Sequence, residues 1–252
     1  MQRLGVELSS GCCLATTRNK APLRKSIARP WSPRETHPGD SDKLGRMGLD
    51  SWINSADQAL RTLSGGAHAT RPSPEAQGFS DLSAVERKLS GALLRVDHVG
   101  EVCAQALYQA QALTARDERL RAHMQRAAEQ EVDHLAWTER RLEQLGARTS
   151  LLNPLWYAGA FGIGLVAGLA GDRWSLGFVV ETERQVEQHL AGHLERLPAN
   201  DAPSRAIVEQ MKRDESEHAS AAEQGGAAVL AAPLKLAMRL AARVMTQTAH
   251  HI

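Results

Sequence analysis

Apolar residues recur at intervals of three and four positions along most of the chain after residue 46, and this period is typical of amphipathic α-helices. A short first helix is predicted to begin at Leu49 and to end at Gly65. Residues 66–79, which are rich in Gly, Pro, Ser and Ala, predict a linker. Long helices are predicted at about 83–113, 117–145, 175–197 and 203–224, and a tail helix follows Pro233. Because no run of alternating β-branched residues is present, the pattern predicts an all-α fold.

The apolar stripe of each long helix contains a glutamate. Glu101 lies in the stripe of the first long helix, and Glu183 lies in that of the third. The second and fourth helices each add a histidine one turn later, as Glu131 with His134 and as Glu215 with His218. These six side chains are therefore predicted to point into the core. Alternatively, either Glu-x-x-His pair taken alone would be typical of a solvated helix face.

Four buried carboxylates repel one another, and burying them without a counter-charge costs on the order of several kcal/mol or more. A pair of divalent metal ions resolves this conflict, because each ion takes one histidine nitrogen and several carboxylate oxygens. One Glu from each of two helices and Glu-x-x-His from each of the other two is the ligand order of di-iron carboxylate bundles. The sequence thus predicts a ferritin-like antiparallel four-helix bundle with two Fe ions, although these ligand types also suit manganese.

Composition narrows the remaining choices. The chain has 252 residues, 42% of them apolar, and a formal net charge of +1, which argues against nucleic acid as the main partner. Its three cysteines include no Cys-x-x-Cys, so no disulfide framework or zinc cluster is predicted. Residues 1–46 are basic and lack helical periodicity. We interpret them as a disordered extension, or as preceding a true start at Met47; a transit peptide is the alternative.

The segment 151–170 is apolar and glycine-rich, and it joins the second and third long helices. A single membrane crossing there would separate the two halves of the shared metal site. We therefore predict a crossover that packs on the bundle and dips into one leaflet; an ordinary buried connector is the alternative. In the tail helix, Lys235, Arg239 and Arg243 flank an apolar strip that suits a membrane surface, or else form a solvated edge of a helix that covers the bundle. The apolar strip comprises Leu234, Ala237, Met238, Ala241 and Met245.

Four segments resemble the ligand-bearing segments of the demethoxyubiquinone hydroxylase family: "LLRVDHVGEVCAQALY", "EQEVDHLAW", "ETERQVEQHL" and "MKRDESEHAS". The resemblance covers roughly residues 49–252. It implies a di-iron monooxygenase that uses O₂ to hydroxylate the ring of a polyprenylated methoxy-methyl-benzoquinol, in the penultimate step of ubiquinone synthesis. It also implies a peripheral protein on the cytoplasmic side of the bacterial cell membrane, with a homo-oligomer or a ubiquinone-biosynthesis complex as further possible assemblies.

The resemblance and the stripe together assign roles to individual residues. All four stripe glutamates and both histidines are expected to be metal ligands, with Glu131 and Glu215 as the bridges by pseudo-symmetry. In the third segment, both arguments favour Glu183 over Glu181. Asp97 is a candidate acceptor for the second ring nitrogen of a ligand histidine, or else forms a surface salt bridge.

Tyr108 and His189 are candidates for gating or for moving protons and electrons, and core packing is the alternative for Tyr108. No Gly-rich dinucleotide fingerprint is present, so the electrons are expected from the quinol itself or from an outside reductant.

A bacterioferritin-like ferroxidase or iron-storage protein would share the same ligand order. The apolar crossover argues against it, because a soluble storage cage has no use for such a segment. A rubrerythrin-like peroxidase would usually bring a Cys-x-x-Cys pair, which is absent here, and a manganese catalase is a further relative by ligand type. A bundle without metal would leave the buried glutamates uncompensated.

Overall fold

The computed structural model describes residues 49–74 and 81–252, and these residues form seven α-helices with no strand among them. The all-α prediction is confirmed. The predicted extension 1–46 and the last part of the predicted linker lie outside the described residues. The helices are α1 (Leu49–Leu63), α2 (Ala84–Thr114), α3 (Glu118–Gln144), α4 (Asn153–Leu169), α5 (Asp172–Arg196), α6 (Ala202–Gln224) and α7 (Ala232–Ala249).

The ends of the bundle helices follow from local chemistry. Ser83 and Glu86 form a capping box at the start of α2: the Ser83 hydroxyl accepts from the Glu86 amide, and Glu86 Oε2 accepts from the Ser83 amide at 2.8 Å. Gly146, at φ +65°, follows the end of α3. Asp172 accepts the Arg116 amide at 3.0 Å, which ties the start of α5 to the turn between α2 and α3.

Helix α2 packs along α3, and α5 packs along α6, and the two pairs meet through α3 with α6 and α2 with α5. The core of this bundle is divided into two apolar clusters by a band of buried polar side chains. One cluster includes Leu94, Trp137, Leu142, Leu190, Ile207 and Met211. The other includes Tyr108, Leu120, Met124, Leu176, Val179 and Ala222. On each of the four helices, the stripe glutamate lies between the residues of these two clusters.

The apolar crossover forms helix α4, which packs tightly along α2. At Gly164 an added Cβ would lie 2.9 Å from Ala110 Cβ and 2.9 Å from the Leu107 carbonyl oxygen. The two helices thus approach closely because this position has no side chain. The outer side of α4 stays exposed and apolar, with Leu155 61% and Val166 70% exposed. The crossover therefore packs on the bundle as predicted, with one face buried.

Helices α1 and α7 also expose apolar side chains. Trp52 and Ile53, on the predicted apolar face of α1, are 41% and 55% exposed. Leu240 and Val244 of α7 are exposed as well, whereas Met245 packs against the α2 surface at Val96 and Val99. No helix in the described part of the chain is long and apolar enough to cross a membrane.

We expect Gly164→Ala to lower the free energy of unfolding by about 1–3 kcal/mol, because the new methyl group would push α4 away from the α2 backbone. The matched control is Gly162→Ala on the same helix, where an added Cβ meets nothing within 4 Å. That change should leave stability unaltered or raise it by up to about 1 kcal/mol. Urea unfolding of both variants tests this, and equal stabilities would contradict the close approach.

Candidate metal centre

The six side chains predicted as metal ligands converge in the polar band of the bundle. Four of these side chains, Glu101, Glu131, His134 and Glu215, are fully buried and place ligand atoms within 4.8 Å of one another. Glu183 and His218 form an overlapping group with Glu215. The structure thus brings the predicted set together, one pair of helices contributing Glu101, Glu131 and His134 and the other contributing the rest.

Glu131 and Glu215 each face both histidines. Glu131 places Oε2 2.8 Å from His134 Nδ1 and Oε1 3.1 Å from His218 Nδ1. Glu215 places Oε1 3.3 Å from His134 Nδ1 and Oε2 3.2 Å from His218 Nδ1. A carboxylate with one oxygen toward each histidine has the arrangement of a ligand that bridges two ions.

Glu101 and Glu183 lie at opposite ends of the centre. Glu101 Oε2 is 3.5 Å from His134 Nδ1, on the side of the centre away from His218. Glu183 Oε1 accepts a hydrogen bond of 2.6 Å from the Tyr108 hydroxyl. Each end of the centre therefore has one histidine and one glutamate of its own, and the two glutamates between them are shared.

The electrostatics of the protein alone show how strongly these groups depend on a counter-charge. Burial, together with the charges of the other carboxylates, raises the pKa of Glu101 and of Glu183 well above the ordinary range. Burial opposes ionisation of Glu131 too, but His134 and His218 outweigh it and hold its pKa well below the ordinary range. Despite burial, Glu131 and Glu215 raise the pKa of His218 to about 11.

A pair of divalent ions fits this donor set. Both oxygens of Glu131 and Nδ1 of His134 are buried without a hydrogen-bond partner among the described residues, although buried polar atoms are normally satisfied. Four carboxylates and two imidazole nitrogens are the oxygen and nitrogen donors that iron and manganese accept. A metal pair would replace the protons that these groups otherwise hold.

The outer nitrogens of the two histidines face partners that the sequence argument missed. His134 Nε2 lies 2.9 Å from Asp214 Oδ2, and His218 Nε2 lies 3.0 Å from Gln130 Oε1. Asp214 and Gln130 immediately precede Glu215 and Glu131. Their positions give a signal in the sequence: each is the residue just before a Glu-x-x-His motif. A side chain at that position lies on the flank of its helix and reaches the histidine of the facing helix.

Asp97 belongs to a separate buried cluster. Asp97 Oδ1 lies 2.7 Å from His193 Nδ1 and 3.8 Å from His189 Nε2. It therefore contacts α5 histidines, rather than His134 or His218 whose acceptor it was expected to be, and these contacts are buried instead of lying on the surface. Burial and the neighbouring His193 lower the pKa of His189 to about 4, so His189 is neutral at physiological pH.

Glu181 points away from the metal centre. Its Oε2 forms an ion pair with Lys235 Nζ of α7 at 2.9 Å, and its Oε1 lies 3.9 Å from Arg239 Nη1. This geometry agrees with the choice of Glu183 over Glu181 as the inward residue of α5. Lys235 and Arg239, two of the three basic side chains of α7 that were expected to face a membrane surface, therefore lie beside Glu181 instead.

The chain is similar to several named proteins. A family model described as "Ubiquinone biosynthesis protein COQ7" matches residues 88–249. Proteins named 3-demethoxyubiquinol 3-hydroxylase from Polaromonas naphthalenivorans (strain CJ2) and Variovorax paradoxus (strain S110) are 65% and 62% identical over 205 residues, which is 81% of this chain and 98% of each relative. A protein of the same name from Nitrosomonas europaea is 55% identical over 207 residues, 82% of this chain and all of that relative.

We expect Glu131→Ala to lose most of the metal from both positions, because Glu131 faces both histidines. The change should be read as iron or manganese per chain after reconstitution, measured by elemental analysis. Glu129→Ala is the matched control, since Glu129 lies on the same helix and is exposed. It should bind as much metal as the unmodified chain, and equal metal content in the two variants would refute the bridging assignment.

The stability of the metal-free protein should fall as the pH rises from about 6.5. The pKa of His218 is raised to about 11 from an ordinary 6.5, so the folded state holds a proton in this window that the unfolded state has released, and stability decreases with pH. Thermal unfolding at several pH values between these limits measures the effect. Metal-loaded protein and metal-free His218→Gln should both show a weaker slope; a melting temperature of the metal-free protein that rises with pH would contradict the argument.

Proposed function

The chain belongs to the ubiquinone biosynthesis protein COQ7 family, and on that premise we propose that it is a di-iron 3-demethoxyubiquinol 3-hydroxylase. The proposal rests on relatives of that name that are 55–65% identical to this chain and that align with it over 98–100% of their own length. The buried six-residue centre supplies the chemistry that such a reaction needs, because it fits two redox-active ions.

The reaction inserts one oxygen atom of O₂ into a ring C–H bond of a polyprenylated quinol, and the other oxygen atom leaves as water. Two electrons and two protons balance the reaction, and they come from the quinol itself or from a reductant outside this chain. When bound, a ferrous pair supplies the electron transfer that activates O₂. The protein must therefore hold the metals, keep bulk water from the centre and deliver protons.

Named side chains perform each of these tasks. Glu131 and Glu215, whose oxygens face both histidines, would hold both ions. Burial and Glu183 raise the pKa of Tyr108 well above its ordinary value, so the phenol keeps its proton and holds Glu183 Oε1 in place. The two apolar clusters on either side of the band limit access of water along the bundle axis.

Asp97 and His189 suit a proton route at the edge of this centre. Asp97 lies one turn before Glu101 on α2 and is buried, whereas the His189 side chain keeps 33% of its surface exposed. Because the pKa of His189 is about 4, its ring would hold a proton from solvent only briefly and would relay it toward Asp97, 3.8 Å away, without storing it. This route ends one helical turn from a proposed metal ligand.

The exposed apolar faces support peripheral attachment to the cytoplasmic side of the bacterial cell membrane. A prenylated quinol partitions into the bilayer, and the outer side of α4 exposes only apolar residues from Leu151 to Ala170. The outer rows of α1 and α7 add further apolar side chains. A homo-oligomer or a complex with other ubiquinone-biosynthesis proteins would use the same exposed faces and stays a prediction.

The hydroxylase proposal is tested with purified, iron-loaded protein, a short-chain demethoxyubiquinol, a reductant and isotopically labelled O₂. We expect a quinol product that has gained one labelled oxygen atom, formed by the unmodified chain and by Glu129→Ala but not by Glu131→Ala. Mass analysis of the extracted quinols identifies the product. Oxidation and mineralisation of added iron without any hydroxylated quinol would refute the proposal and indicate a ferroxidase.

Membrane attachment is tested by flotation with vesicles that contain anionic phospholipid. The double variant Ile163→Glu and Val166→Glu should float with the vesicles several-fold less than the unmodified chain, because two charges would enter the apolar face of α4. Val85→Glu is the matched control, since Val85 is 78% exposed at the start of α2. Equal flotation of all three proteins would exclude α4 as the attachment site.

A further inference from the structure

The two halves of the centre differ at the outer nitrogens of their histidines. Asp214 and Gln130 hold equivalent places, because each directly precedes the glutamate of a Glu-x-x-His pair and reaches the histidine of the facing helix. Their oxygens lie at nearly the same distance, 2.9 Å for Asp214 to His134 Nε2 and 3.0 Å for Gln130 to His218 Nε2. One partner is a carboxylate and the other is a neutral amide.

This difference changes the two histidines as ligands. Each oxygen accepts the N–H of its histidine, which fixes the tautomer and leaves Nδ1 as the donor that faces the centre. A hydrogen bond to a carboxylate is roughly twice as strong as one between neutral groups. It also raises the basicity of the imidazole and so its affinity for metal. His134 should therefore be a stronger ligand than His218.

The surroundings of Asp214 maintain this difference. Arg71 Nη1 lies 2.9 Å from Asp214 Oδ2, and Arg71 Nε lies 2.6 Å from Asp133 Oδ2. Its guanidinium also lies 4.8 Å above the Trp137 ring, so the carboxylate next to His134 is held in place. Arg71 Nη2 is also 3.5 Å from His134 Nε2, but two carboxylates face this single guanidinium, so this side keeps a net negative charge.

Among the described residues, no carboxylate takes the same role beside His218. Gln130 is exposed, and its neutral amide adds no negative charge beside His218 Nε2. The dication beside His218 thus has less electrostatic support from its outer surroundings.

We propose that the two metal positions are unequal, so that the position beside His134 and Glu101 binds a divalent ion more tightly than the position beside His218 and Glu183. Asp214 and Gln130 are the positioning residues that set the difference. This inference rests on the proposed di-metal centre, but it concerns the order and strength of loading and does not depend on hydroxylation.

The test is a titration of the metal-free, full-length protein with Mn²⁺ alone, in which free Mn²⁺ is followed by electron paramagnetic resonance. The unmodified chain should bind two ions in two distinguishable steps. Asp214→Asn should weaken the tighter step by about 10–100-fold, whereas Gln130→Glu should strengthen the weaker step. Because misfolding cannot raise affinity, the gain in Gln130→Glu separates a positioning role from a structural one.

Asp57→Asn is the matched control for loss of a carboxylate, since Asp57 pairs with Arg61 on the exposed surface of α1. It should leave both steps unchanged. Anomalous diffraction from crystals grown with one equivalent of Mn²⁺ locates the first ion, which we expect beside His134. A first ion beside His218, equal occupancy of both positions, or equal weakening of both steps in Asp214→Asn would overturn the proposal.

Failure of this inference is distinguishable from failure of the proposed function. Two equal binding steps with normal quinol hydroxylation would overturn only the inequality. Two unequal steps without hydroxylation would support the inequality and refute the hydroxylase.

Discussion

The burial of four carboxylates in one core is the constraint on which the rest of this structure depends. Apolar packing alone would exclude Glu101, Glu131, Glu183 and Glu215, because each charge loses its hydration when the bundle closes. The fold accommodates them by placing two histidines between them and by dividing the apolar core into a cluster above and a cluster below. The clusters supply stability, and the polar band between them concentrates negative charge where a dication can replace protons.

The same constraint explains why the centre has two similar halves. Each pair of helices contributes one single glutamate and one Glu-x-x-His, so the shared glutamates from α3 and α6 meet at the middle and face both histidines. The halves nevertheless diverge one layer out, where α6 supplies Asp214 and α3 supplies Gln130. A repeated backbone thus brings the candidate ligands together, whereas in the proposed di-metal centre single side chains on the flanks would determine how strongly each position binds.

Helical periodicity was sufficient to predict the long helices and the inward direction of the six ligands, because both depend on the side of a helix that a residue occupies. It could not identify Asp214 or Gln130, which lie beside the inward stripe and act across to the facing helix. Arg71 lies in a linker without any period, so only the folded structure brings it to Asp133 and Asp214. Asp97 is buried, but its partners are on α5 instead of being a ligand histidine, because a stripe on one helix does not specify which residues of another helix it meets.

Amphipathicity likewise shows which side of a helix is apolar without showing what covers that side. On α4, Gly164 and Gly168 face α2, whereas Leu155, Ile163 and Val166 face outward. Adjacent packed helices lie about 8–10 Å apart, and α4 packs directly on α2, which carries Glu101 and Tyr108 toward the centre. In the proposed membrane-bound state, one layer of helix therefore separates the lipid-facing surface from the metal centre. In that proposed state, the ring of a prenylated quinol would have to move about one helix diameter from the lipid-facing surface of α4 to the centre, while its tail remained in the bilayer.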